Sequence, residues 1–185
     1  MAFPGMDDLP AYKPRFPGRH DLNLGDQWRA HHVDDGELPE NAPVLMFYAL
    51  VAKGDRGYVT RKHGDTAWHI VEAAYDGSQP LADALAAAVY EQTGARVSGS
   101  FMSGFLECRA TQHNREFKEG SMSVRPLFFV AANEVEDVPD DSGYERRRMP
   151  MNEYANAMRQ YYHELHPYLL RAIDRYLIRH TKGEI

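Results

Sequence analysis

The stretch WHIVEAAYDGSQPLADALAAAVYEQTG, residues 68–94, decides the fold of this chain. Its pattern predicts a short apolar strand, a loop and an alanine-rich helix that ends at a glycine. Pro80 suits the first helical position, because its φ is already helical and its missing N–H has no partner there. Gly94 suits the left-handed residue that ends a helix. The segment therefore predicts a strand–loop–helix unit.

Apolar runs on both sides of this unit predict the strands of a sheet. The run 44–51 is continuous and apolar, which is typical of a buried strand. The turn sequence KGDRG at 53–57 predicts a hairpin with residues 58–61. Further strands are predicted at 98–110 and 123–132, on either side of a polar loop.

Residues 73–95 resemble the Nudix box, a loop and helix written G-x5-E-x7-R-E-U-x-E-E-x-G-U, where U is a bulky aliphatic residue. When EQTG is aligned with the last E-E-x-G, Val89, Glu91 and Gly94 match the box. The other fixed positions depart from it, most of all the acidic ones. These positions hold Ala73, Gln79, Ala87, Ala88, Gln92 and the weakly fitting Ala95.

The flanking segments extend the resemblance to about residues 43–160. Trp68, two residues before Ile70, is similar to the tryptophan that commonly precedes the box. The predicted strands resemble the family's strands in order. Tyr144-Glu145 and the segment 149–154 resemble its late "E … W-x-P-x-x-E" segment.

The resemblance implies an α/β (α+β) fold, a Nudix-like mixed β-sheet sandwiched between helices. Residues 43–160 form this domain. Residues 1–42 are rich in Pro, Gly and Asp and predict an extended N-terminal arm. Its aromatic residues indicate that it docks on its own subunit or on a neighbour. They are Phe3, Tyr12, Phe16 and Trp28.

Residues 161–185 predict a C-terminal helical extension. Asn152 can cap a helix that runs to about Leu165, and a second helical segment begins at Pro167. The tail is rich in tyrosine, which favours either packing on the domain's own sheet or a homodimer interface. The tyrosines are Tyr154, Tyr161, Tyr162, Tyr168 and Tyr176. The N-terminal arm is a second candidate for the dimer contact.

In the Nudix family, glutamates at i, i+3 and i+4 of the helix hold magnesium, which prefers several oxygen ligands. Those positions here are Ala88, Glu91 and Gln92. Glu91 is the candidate catalytic residue and metal ligand, and Gln92 offers a neutral oxygen as a second ligand. Acids outside the helix could complete a site for Mg²⁺ or Mn²⁺ if the protein is active. They include Glu72, Asp76, Glu116, Glu119, Glu134, Glu136 and Asp137.

Arg61 and Lys62 lie at the end of the strand before the box, where the resemblance implies substrate-facing residues. His69 and Tyr75 would line the same cleft. Arg125 lies on the facing side of its strand or on the back, and alternation along the strand leaves both open. Cations with few acids suit a small phosphate-bearing ligand that is bound without a metal.

Two functions follow from these features. The first is a catalytically degenerate Nudix-like protein that binds a nucleotide or another diphosphate-containing ligand. The alternative is an active, metal-dependent pyrophosphohydrolase of nucleoside diphosphate derivatives with rearranged metal ligands, in which a positioned water attacks phosphorus. Non-hydrolytic chemistry on this scaffold is a third possibility, because fold does not fix function.

The composition of the chain indicates which kinds of partner and which cellular compartment to expect. The chain has 185 residues and a net charge of −6, so no basic surface argues for nucleic acid. The single cysteine, Cys108, excludes an intramolecular disulfide and is expected to be buried. The N-terminal residues lack the apolar core of a signal peptide, and no apolar run is long enough to span a membrane. We therefore expect a cytoplasmic protein.

Overall fold

A computed structural model of the chain describes residues 12–16, 18 and 20–185. Within these residues, one mixed sheet of eight strands carries three helices. The strands are β1 (Leu22–Asn23), β2 (Trp28–Val33), β3 (Met46–Lys53), β4 (Arg56–Lys62), β5 (Val71–Ala74), β6 (Ala95–Ala110), β7 (Met122–Val135) and β8 (Tyr144–Pro150). The helices are α1 (Leu81–Thr93), α2 (Met151–Tyr161) and α3 (His166–Thr181).

The strand order is β1-β2-β6-β7-β3-β4-β8, and β5 also pairs with β3. Strands β3 and β7 are parallel, and the other pairs are antiparallel. The outer edge of β3 is divided between two partners. Its first half, Met46 to Ala49, pairs with β5, and its last three residues pair with β4 in a hairpin.

Helices cover both faces of the sheet. Alternate residues of β3 point to opposite faces. Phe47 and Val51 pack with Leu85 and Val89 of α1. Residues on the other face of β3, such as Leu50, pack in the core that includes residues of α2 and α3. The predicted mixed β-sheet sandwiched between helices is therefore confirmed.

Helix α1 ends where the sequence predicts. Gly94 adopts a left-handed φ of 73° and donates its N–H to the Tyr90 carbonyl at 2.8 Å. The predicted starts of two helices need correction. Pro80 precedes α1, which begins at Leu81, and Asn152 lies inside α2, where Pro150 occupies the capping position. Proline suits both junctions because it gives up no hydrogen bond there.

Two strands of the sheet lie in the range 1–42, which the sequence predicted to be an extended arm. Strand β2 pairs with β6 along Trp28–Val33, and β1 adds two further residues at the edge. The arm's described aromatics contact this chain's own domain. Tyr12 donates a hydrogen bond to Glu107, and the Trp28 ring lies 5.5 Å from that of Phe117; the Phe16 ring lies 4.6 Å from that of His31 in β2. Phe3 lies outside the described residues.

The C-terminal tyrosines mostly pack on the chain's own sheet. Tyr154 and Tyr176 are fully buried. The Tyr154 hydroxyl accepts the Val51 N–H at 3.1 Å, and Tyr176 stacks on Phe129 with ring centroids 4.3 Å apart. Tyr161 is exposed. A homodimer through the C-terminal helices stays a prediction. Among the described helices, none is both long and apolar enough to cross a membrane.

A substitution at Gly57 tests the contact between the sheet and α2. A Cβ at this position would lie 2.2 Å from Cγ of Tyr154, which is fully buried and has no space to move into. We expect Gly57→Ala to lower the free energy of unfolding by about 1–3 kcal/mol in urea denaturation, as overpacked cores do. The control is Gly36→Ala, where an added Cβ meets nothing within 4 Å. Equal stability of all three proteins would contradict this packing.

Candidate functional site

A pocket of about 250 Å³ opens between the end of β4, the start of β5 and the end of α1. Thr60 and His69 join its two strand walls, because each donates its N–H to the other's carbonyl at 2.8 Å. The loop 63–68 therefore leaves and re-enters the sheet beside the pocket. The lining residues are Thr60, Arg61, Lys62, Asp65, His69, Ile70, Glu72, Gln92 and Tyr144.

Two cations come from the end of β4. The Arg61 guanidinium forms a salt bridge with Glu145 through Nε, and it lies 4.2 Å above the Trp68 ring. These two contacts fix its direction. Lys62 is exposed, with Nζ 5.9 Å from the centroid of the Tyr144 ring. The pocket thus has one oriented cation and one solvated cation.

Glu72 forms part of the pocket wall. This residue, one of the acids outside the helix that could complete a metal site, belongs to strand β5. Tyr162 accepts the Ile70 N–H at 2.8 Å and directs its own hydroxyl to Glu72 Oε1 at 3.3 Å. Burial raises the pKa of the Glu72 carboxyl, and the neighbouring His69 opposes part of that rise.

Gln92 holds the end of α1 against both strand walls. Its side-chain Nε2 donates to the Glu72 carbonyl at 2.9 Å. Its own carbonyl accepts the Thr60 hydroxyl at 2.9 Å. Gln92 is buried, and its amide nitrogen is used within the protein.

The predicted metal ligands do not share one environment. Ala88 and Gln92 are buried on the inner face of α1, whereas Glu91 is exposed and does not line the pocket. Across the described part of the chain, no three His, Cys, Asp or Glu side chains are grouped closely enough to hold a metal ion. Positions 88, 91 and 92 of α1 therefore do not present three oxygen ligands to one ion.

The remaining predicted ligand residues lie outside the pocket lining. The Tyr75 hydroxyl donates to the Gln79 carbonyl at 2.7 Å, and its ring packs on the α1 side of the sheet. Arg125 donates to the Tyr48 hydroxyl at 2.9 Å. Tyr48 is the β3 partner of Glu72, so Arg125 lies on the face of the sheet that carries Glu72. The positive charge of Arg125 opposes a small part of the rise that burial causes in the pKa of the Glu72 carboxyl.

The structure brings together five of the residues that the sequence named: Arg61, Lys62, His69, Glu72 and Gln92. Thr60, Tyr144 and Tyr162 were not predicted as site residues from the sequence. Tyr162 was grouped with the aromatic tail, because only tertiary packing brings the residue after α2 to Glu72. Thr60 carries no local signal, since its role depends on the position of α1.

No protein-family model and no curated protein matches the sequence. Solved structures do resemble the fold. A mutant of the pyrophosphohydrolase BsRppH of Bacillus subtilis is 16% identical with a TM-score of 0.52, and the match covers 66% of this chain and 72% of that one. A NUDIX hydrolase from Nitrosomonas europaea is 15% identical with a TM-score of 0.51, covering 74% of this chain and 89% of that one.

A third structure is the NUDIX domain of Shewanella oneidensis NrtR complexed with ADP ribose. It is 10% identical with a TM-score of 0.46, and the match covers 62% of this chain and 77% of that one. The first two similarities, together with the mixed sheet between helices, define the class of architecture: this chain has a Nudix-like fold.

The raised pKa of Glu72 predicts a pH-dependent stability. A carboxyl whose pKa is raised by folding stabilises the folded state below its unfolded pKa of about 4.3, and this contribution is lost as the pH rises through the folded value. Glu72→Gln removes the titrating group. We therefore expect the variant to gain stability relative to the wild type as the pH rises from about 4 to about 8 in urea denaturation.

Glu153→Gln is the matched control, because Glu153 is exposed on α2. Its stability difference from the wild type should not follow the pH dependence of the Glu72→Gln difference. A stability difference for Glu72→Gln that does not change with pH would contradict the buried position of this carboxyl.

Proposed function

We propose that this protein is a Nudix-like protein that binds a nucleotide or another diphosphate-containing ligand in the pocket beside β4. We also propose that its Nudix box is degenerate and does not support hydrolysis by magnesium held on the helix. One observation carries the proposal. The pocket gathers Arg61, Lys62 and His69 around a helix end where Gln92 uses its amide to hold the walls together.

The cations supply the chemistry for phosphate binding. Arginine pairs with phosphate oxygens through parallel N–H donors, and these charge-assisted hydrogen bonds are stronger than neutral ones. Glu145 contacts the Nε side of Arg61, and the guanidinium carries four more N–H donors. Lys62 adds a mobile charge beside it. His69 supplies a ring nitrogen on the opposite wall.

The size of the pocket limits what it encloses. At about 250 Å³ it is smaller than most sites for drug-sized ligands, which measure roughly 300–1,000 Å³. It suits a diphosphate group and part of one attached moiety. The rest of a nucleotide would extend out of the pocket along the exposed loop 63–67.

The alternative is a metal-dependent pyrophosphohydrolase with rearranged ligands. One observation favours it, because Asp65 and Glu72 line the same pocket as Gln92. Against it, Glu91 lies outside the lining, and the side-chain nitrogen of Gln92 already donates to the Glu72 carbonyl, so no carboxylate of the helix faces this pocket. Binding without this hydrolysis is therefore the better-supported proposal.

The binding proposal is tested by calorimetric titration with nucleoside diphosphates and their derivatives. We expect Arg61→Ala and Lys62→Ala each to weaken binding by about 10-fold or more, as the loss of a charge-assisted hydrogen bond does. Lys53→Ala and Arg148→Ala are matched controls, because both residues are exposed on strands β3 and β8 away from the pocket. The same dissociation constant in all four variants would overturn the proposal.

The degenerate box is tested by product release from the same compounds, with magnesium and then with manganese. We expect no turnover from the wild type. Turnover that disappears in Glu91→Gln would mean that the helix still holds a metal. Turnover that survives in Glu91→Gln and disappears in Glu72→Gln would mean that the pocket carboxylates have replaced the helix ligands. Either result would establish a hydrolase.

A further inference from the structure

A second cavity lies near the opposite edge of the sheet. It measures about 700 Å³ and is formed by the turn between β1 and β2, the end of β6 and the loop that follows it. It shares no lining residue with the first pocket. Strands β7 and β3 separate β6 from β4 in the sheet, so the two pockets are distinct sites.

Two arginines face each other at this cavity. Arg29 of β2 and Arg109 of β6 are direct partners in the antiparallel pair, and both line the cavity. Like charges directly opposite each other on two strands repel. No carboxylate among the described residues lies within 4.0 Å of either guanidinium.

Arg109 also has a donor without an acceptor. Its Nε is buried and makes no hydrogen bond within the described residues. Glu107 is the acid on the same face of β6. Its Oε2 accepts hydrogen bonds from the Tyr12 hydroxyl and the Arg15 N–H, its Oε1 is buried without a partner, and it forms no salt bridge with Arg109 within the described residues. Leaving a buried donor without an acceptor costs free energy. Arg109 therefore brings to the cavity a positive charge that no carboxylate of the described residues neutralises.

The walls of the cavity are held in place before any ligand binds. The Thr111 N–H donates to the Gln27 carbonyl at 3.0 Å, and the Asn114 side chain donates to the same carbonyl at 3.1 Å. These bonds join the loop after β6 to the turn before β2. A ligand would enter a site whose shape is already set, which lowers the entropy cost of binding.

We propose that this cavity binds a small phosphate monoester that carries hydroxyl groups, such as a sugar phosphate. The opposed guanidinium groups of Arg29 and Arg109 match the oxygens of one phosphate group. The exposed carboxylates of Asp26 and Glu119 also line the cavity. They repel a second anionic group and accept hydrogen bonds from hydroxyls. The volume lies within the range of small-molecule sites.

The experiment is a calorimetric titration of the full chain with ribose 5-phosphate, inorganic phosphate and ribose. We expect saturable binding of ribose 5-phosphate, weaker binding of phosphate and none of ribose. Arg29→Ala and Arg109→Lys should each weaken binding of ribose 5-phosphate by about 10-fold or more. Arg29 is exposed, so its substitution leaves the fold intact. Arg148→Ala is the control for loss of one positive charge.

A double variant, Arg61→Ala with Lys62→Ala, separates this site from the first pocket. It should bind ribose 5-phosphate like the wild type. In a parallel NMR titration of the wild type, the Nε–H signal of Arg109 should shift with the same dissociation constant. Loss of binding only in the double variant would assign the sugar phosphate to the first pocket and overturn the second site. Equal binding of ribose and ribose 5-phosphate, or no saturation, would overturn it as well.

Discussion

A position on the edge of a strand can hydrogen-bond to only one neighbour, and β3 divides its outer edge between two strands. Strand β5 pairs with Met46 to Ala49, and β4 pairs with Val51 to Lys53. Beyond Tyr58, β4 has to leave β3, and it continues alongside β8. The first pocket opens where β4 and the residues before β5 separate from β3. Its position follows from the pairing of β3.

Gln92 closes the gap that this separation leaves. It links α1 to β5 through its side-chain amide and to β4 through its carbonyl. A glutamate in its place could not donate a hydrogen bond to the Glu72 carbonyl when ionised, and it would place a second carboxylate beside that of Glu72. The amide therefore suits a helix end that fastens two strands. This structural role accounts for an amide at the position where the resemblance to the Nudix box implies an acid.

The parts of the fold that the sequence predicts are those with a local cause. The apolar run of β3, its hairpin with β4 and the glycine stop of α1 each depend on a few adjacent residues. Strand β5 is only four residues long, too short to show alternation, so Glu72 could not be placed on a strand. The parallel pairing of β3 with β7 is a long-range contact with no local signal.

For the candidate site too, the sequence predicts the local spacing of residues but not the contacts that depend on tertiary packing. Helical spacing puts positions 88, 91 and 92 close together on the helix, but it does not show which of them faces the sheet. The structure buries Ala88 and Gln92 and exposes Glu91, because the packing of Leu85 and Val89 sets the rotation of α1. Arg61 and Lys62 lie at the end of β4 and line the pocket, and their part in binding stays a prediction; the position of their neighbours Thr60 and Tyr144 depends on tertiary packing.

The two pockets differ in whether their arginines are paired with a carboxylate of the same chain. In the first, Glu145 already pairs with Arg61, so a phosphate group there competes with an internal carboxylate. In the second, Arg109 keeps a buried donor without an internal acceptor, and Arg29 adds a like charge opposite it. An anion in the second pocket would relieve the repulsion between these two positive charges. Ligand binding there should therefore stabilise β2 and the two-residue strand β1, which lie at the edge of the sheet and reach the rest of it only through β6.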